Sequence, residues 1–153
     1  STHELGFMQH SARESFKLID FDYSLAIAKL AYDRGARSVA LVSAVGAQEG
    51  SFNYYFHIKG KLENEIKKIG YENICFARPG HLLGARKDFR GYEIPILESG
   101  LRIAAPFMQG PLINFRQIEA QRVAESMVIN LQNKKRGESY LFYEDFLKTD
   151  TFE

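Results

Sequence analysis

An α/β protein built on a parallel sheet is what this sequence predicts, and two observations carry the prediction. Short apolar runs, RSVALVSA at 37–44 and NICFAR at 73–78, alternate with longer segments of helical periodicity. Neither run alternates polar with apolar residues, so both suit strands covered on both faces. The order helix, buried strand, helix, buried strand, helix, helix, strand is α/β order, with helices on both faces of the sheet.

Taken in order, residues 1 to about 13 lack a clear period and read as loop. From Asp20, DFDYSLAIAKLAYDRG reads as a helix: Tyr23, Ile27, Leu30 and Ala31 recur at helical spacing. Asp20 or Asp22 can cap its start, and Gly35 closes its end. The Val-rich run follows as a strand, and AVGAQEGS after it is loop by composition. A second helix runs from about Asn53 to Ile69 and stops at Gly70. NICFAR is the next strand, broken by Pro79 and Gly80, since proline cannot donate a ladder hydrogen bond. A helix from Ile94 to about Ala104, a loop with Pro106 and Pro111, the helix IEAQRVAESMVINLQ and the strand SYLFYE at 139–144 complete the pattern. One domain, or part of one, covers residues 1–153.

Composition narrows the function. The 153 residues are 45% hydrophobic and 25% charged with a formal net charge of +1, so nothing favours nucleic acid or an anionic membrane surface. The basic run NKKRG at 133–137 falls where a helix should stop; Lys134, Lys135 and Arg136 suit its C-terminus. Cys75 is the single cysteine, which excludes a disulfide framework and reads as a small buried hydrophobe. No apolar run approaches the roughly 20 residues that span a bilayer. The start, STHELGFMQH, is polar and mixed rather than a signal peptide, so a cytosolic protein is expected. His3, His10, His57 and His81 are scattered without metal-ligand spacing.

In open parallel sheets ligands bind where the carboxyl ends of the strands meet the following loops and helices. Ser43 ends the first strand, Tyr55 and Lys59 open the next helix, and Arg78, Pro79 and Gly80 end the second strand. Tyr55 and Lys59, four residues apart, share one helix face. Two readings of that pair compete. Tyr55 also heads an apolar stripe with Ile58, Leu62, Ile66 and Ile69, which would make it a core tyrosine beside a solvated lysine. The flanking motifs favour an active-site pair instead. Ser43 alone would be a strand-end cap, Arg78 a turn anchor, and Asp20 and Asp22 helix caps.

LVSAVGA (41–47), NYYFHIKGKLE (53–63) and FARPGHLLG (76–84) together give the chain a family likeness. It resembles the short-chain dehydrogenase/reductase superfamily, in its atypical NAD(P)H-binding branch with the Tat-interacting-protein-like oxidoreductases. The similarity covers most of residues 16–130. The resemblance implies a Rossmann-like fold and an NADP- or NAD-dependent oxidoreductase or epimerase-like enzyme acting on a small carbonyl or alcohol. It makes Tyr55 the proton donor or acceptor. A phenol is a poor acid near neutrality, with an ordinary pKa of about 10, and an adjacent ammonium favours its phenolate. Lys59 would play that part and hold the nicotinamide ribose. Ser43 would bond the substrate oxygen, Arg78, Pro79 and Gly80 would pass beside the nicotinamide, and the stretch after His81 would shape the substrate site. The rival implied by the same branch is a non-catalytic nucleotide sensor acting through protein partners. Gly-x-x-Gly-x-x-Gly occurs nowhere in the chain, so residues 1–153 are expected to be the C-terminal portion of such a fold. An uncovered sheet edge would then invite a second copy or another partner.

Overall fold

Asn73–Ala77 is buried along its whole length, as a run of four apolar side chains behind one asparagine should be when it has a strand on either side. That strand, β2, is the centre of a three-stranded sheet in the order β1-β2-β5, with β1 at Ser38–Val42 and β5 at Gly137–Leu141. The computed structural model describes residues 2–83, 113–114, 116–133 and 136–148. The chain divides into two units, one of residues 1–39 and 46–72, the other of residues 40–45 and 73–153.

The first unit is helical. Helix α1, Thr2–Lys17, occupies the stretch expected to be loop. It is rich in good helix formers (Glu, Leu, Met, Gln, Ala, Arg, Lys), and its polar composition, with few apolar residues, concealed it. It runs into a π-helical turn, Leu18–Tyr23, and then into α2, Ser24–Asp33, which Gly35 ends at φ +99°. The Ser24 hydroxyl donates to the Ile19 carbonyl, 3.4 Å away and five residues back. Phe21 and Ala28 form the buried face of this π-turn and helix, whereas Tyr23, Ile27 and Leu30, the residues at helical spacing, are exposed. The segment carries two apolar faces, and spacing marked the uncovered one. Helix α3, Tyr54–Lys67, packs on the π-turn and α2, and Ile58, Leu62 and Ile66 are buried along one of its sides. Tyr71 closes this unit: its hydroxyl donates to the Ala28 carbonyl at 2.6 Å, and its ring meets Tyr32 edge-on.

The second unit holds the sheet. Strands β2 and β5 are parallel, with Asn73 opposite Gly137 and Ala77 opposite Leu141. Strand β1 is partly buried in its middle and exposed at its ends, rather than covered on both faces, because it stands at the end of the strand order. The final strand starts at Gly137 and stops at Leu141, short of the expected 144, where a short helix, α5 at Tyr143–Leu147, begins. The Asp145 carboxylate accepts the Phe142 N–H at 3.0 Å and fixes that start. Strands β3, His81–Leu83, and β4, Gln117–Glu119, pair in parallel as a second, two-stranded sheet too short to leave a period in the sequence. Helix α4, Ala120–Gln132, follows directly. Ala77, Ile118, Val123 and Phe146 form a core cluster, with Met127, Leu141 and Tyr143 packed against it. The expected helix from Ile94 to Ala104, the loop with Pro106 and Pro111, and Lys134 and Lys135 lie outside the described residues. The architecture is α/β and Rossmann-like: a parallel sheet with helices.

Candidate functional site

Asn53 opens α3. Its Oδ1 accepts the backbone N–H of Tyr55 at 2.9 Å and of Phe56 at 3.4 Å, satisfying donors that have no partner within the first helical turn. Tyr55 and Lys59 are therefore one turn apart, and their environments invert the core-tyrosine reading. Tyr55 is 42% exposed and Lys59 only 9%. The buried stripe starts at Ile58 and continues through Leu62 and Ile66 without Tyr55. The Lys59 ammonium lies 5.8 Å from the centre of the Tyr55 ring, within range of a cation–π contact.

The partner of that ammonium is Asp20, whose Oδ1 accepts from Lys59 Nζ at 2.7 Å. Asp20 reads in the sequence as a helix cap; in the structure it sits in the middle of the π-turn, partly buried beside buried Phe21. A separation of 39 residues links the pair, and no spacing rule connects residues so far apart. Around Tyr55 the surface is aromatic, with the rings of Phe16 and Phe56 each centred 5.4 Å away.

The loop preceding the helix is pinned to α3. Gln48 donates its N–H to the Phe56 carbonyl at 3.1 Å, His57 Nδ1 meets the Glu49 carbonyl, and Asn64 donates to the Glu49 carboxylate at 2.7 Å. Gly60 permits the approach, since a Cβ there would lie within 2.4–2.5 Å of the Gln48 backbone.

The remaining predicted residues belong to the second unit. Backbone bonds from Ser43 to Ala77 at 2.7 Å and from Val45 to Pro79 at 3.1 Å carry the parallel ladder beyond the strand ends. Ser43 and Pro79 thus both lie at the carboxyl edge of β1 and β2, where the sequence puts them. Ser43 is 3% exposed, and its Oγ has no hydrogen-bond partner among the described residues. Arg78 donates its N–H to Leu141, and its guanidinium stacks 4.7 Å from the centre of the Tyr140 ring. Gly80 is exposed at the break after β2. Residues 84–112, to which the sequence assigned the shape of a substrate site, lie outside the described residues.

Elsewhere in this unit Val42 of β1 and Val123, Met127, Val128 and Leu131 of α4 line an apolar groove of about 320 Å³. No titratable side chain lines it, so it offers no chemistry. Burial pushes the Cys75 thiol up to about 11, which keeps it protonated and inert. Among the described residues no group of three or more His, Cys, Asp or Glu side chains could hold a metal ion, and no helix is long and apolar enough to cross a membrane.

The fold and this geometry define an α/β protein with an exposed tyrosine over an ion-paired lysine. Fungal proteins are among those it is similar to. The chain is 34% identical over 126 residues to "Protein FMP52, mitochondrial" of Candida albicans, covering 82% of this chain and 54% of that protein. It is 41% identical over 85 residues to the protein of that name in Debaryomyces hansenii, covering 56% and 38%. In Saccharomyces cerevisiae the figures are 37% over 70 residues, covering 46% and 30%. The chain spans about half the length, or less, of the curated relatives it matches. No family model matches. These relatives correct two expectations. Their name is FMP52, not that of the Tat-interacting-protein-like branch to which short motifs pointed, and it carries the word mitochondrial where a cytosolic protein was expected.

Proposed function

We propose that the protein is an NAD(P)H-dependent oxidoreductase of mitochondria, acting on a small carbonyl or alcohol with Tyr55 as the proton donor and acceptor. One observation carries this reading: the phenol is exposed while the lysine one turn away is nearly buried and ion-paired, the reverse of a core tyrosine beside a solvated lysine. An exposed phenol can reach a substrate oxygen. A charged ammonium beside it stabilises the phenolate left when the proton departs, by Coulomb attraction strengthened at a poorly solvated position.

The residues present fit a nicotinamide cofactor in two respects. Lys59 presents a nearly buried ammonium suited to ribose hydroxyls. In the second unit, Ser43 carries a buried Oγ with a hydrogen bond still to give, the property wanted of a group that steadies a substrate oxygen. By the resemblance, Arg78 and the backbone at Pro79 and Gly80 would pass beside the nicotinamide. When bound, the cofactor supplies the hydride. The mitochondrial assignment is supported by the names of the relatives.

The test is a titration of the protein with NADPH and NADH, followed by a carbonyl screen with Tyr55→Phe alongside. Binding, with turnover lost in Tyr55→Phe and nucleotide affinity kept, is expected. Nucleotide binding without turnover in the native protein would replace the enzyme with a nucleotide-sensing regulator. No binding would remove both.

A further inference from the structure

Lys59 has an unusual position for a lysine. Its side chain is 11% exposed, and the carboxylate that meets it, Asp20, is 32% exposed. Withdrawing an ammonium from water is costly unless an opposite charge and hydrogen bonds replace the lost hydration. Asp20 supplies both through one contact of 2.7 Å.

The π-turn makes that contact available. Such turns put an extra residue into a helical turn and gather at functional positions. Here Asp20 meets Lys59, and the neighbouring Phe21 lies under Lys61, whose Nζ is 5.3 Å from the ring centre. Two successive residues of the turn thus engage two lysines of α3. Asp22 is occupied differently, pairing with Lys17 at 3.6 Å on the exposed side. Of the two acids that read as alternative caps, Asp20 meets Lys59 and Asp22 meets Lys17.

We propose that Asp20 is a positioning residue: its carboxylate, presented by the π-turn, holds the Lys59 ammonium at the face of the Tyr55 ring. It touches neither substrate nor cofactor and acts through Lys59. The consequence for nucleotide rests on the oxidoreductase reading above; the consequence for the ammonium does not.

The experiment therefore has two readouts. Side-chain ¹⁵N NMR of the labelled protein detects ammonium groups protected from exchange with water, and Lys59→Met assigns the Lys59 signal. That signal is expected in the native protein, lost in Asp20→Ala and weakened in Asp20→Asn, which keeps the shape and an acceptor oxygen but not the charge. NADPH titration is expected to weaken roughly tenfold in Asp20→Ala and not at all when the same change is made on Lys59→Met, the mark of two residues acting as one unit. An unchanged Lys59 signal in both Asp20 variants overturns the proposal. So does an Asp20→Ala effect on NADPH of equal size with and without Lys59. If Asp20→Ala fails to fold, Asp20→Asn gives the same two readings. If NADPH binds not even the native protein, the oxidoreductase reading falls and the ammonium signal alone decides the role of Asp20.

Discussion

Gly60 and Gln48 touch at the point where a side chain would begin: a Cβ on Gly60 would lie 2.4 Å from the Gln48 carbonyl carbon. Glycine inside a helix costs about 1 kcal/mol relative to alanine, so its presence in α3 needs this reason. Gly60→Ala is expected to destabilise the protein by about 1–3 kcal/mol, against its better helix propensity, because backbone must move. Denaturant unfolding reads the loss. Faster proteolysis within Gly46–Ser51 shows that the pinned loop has come away.

Asn53 caps the helix that carries Tyr55 and Lys59. Asn53→Ala leaves the N–H groups of Tyr55 and Phe56 without their side-chain acceptor and is expected to cost about 1 kcal/mol. Asn53→Asp, which keeps the acceptor and adds a charge favourable at a helix N-terminus, is expected to match or exceed the native thermal midpoint.

Cys75 makes stability depend on alkaline pH. Burial raises its thiol from an ordinary 9.0 to about 11, so between those values the folded protein holds a proton that the unfolded chain has released. Stability from this group is complete below pH 9 and is lost as pH rises toward 11, by at most about 3 kcal/mol. Tyr71, whose phenol burial also pushes up from 10.0, adds a loss of the same sign. Denaturant midpoints measured across this range should fall, and Cys75→Ala should flatten the fall. At neutral pH a thiol reagent should label Cys75 only after denaturation.

Phe146 is fully buried with Ala77, Ile118 and Val123. Phe146→Ala is expected to cost about 3–5 kcal/mol by leaving a cavity under the sheet, whereas Phe146→Leu should cost far less. Unfolding measured by the far-ultraviolet signal distinguishes the two.

The strand β2, the helix α3 and the break at Pro79 are legible because each rests on local chemistry: an apolar run, a cap with a helical period, a missing donor. Helix α1 was hidden because a segment of good helix formers with few apolar residues resembles loop. The strands β3 and β4 were hidden because three residues are too few for a pattern. Ser43 at the carboxyl edge of the sheet was legible as a strand end, and the buried, unpartnered state of its Oγ was not.

By itself, the sequence determined the α/β order, the residues that could carry chemistry, and the one-turn spacing of Tyr55 and Lys59, since these follow from composition and period. Which of that pair is buried was left open, because an apolar stripe includes a tyrosine and a lysine stem equally well. Tertiary structure decided it by burying Ile58, Leu62, Ile66 and Lys59 and leaving Tyr55 partly exposed. It also brought Asp20, 39 residues away, within 2.7 Å of Lys59. Burial and long-range charge pairing depend on what lies across the fold, and a linear pattern holds no record of that.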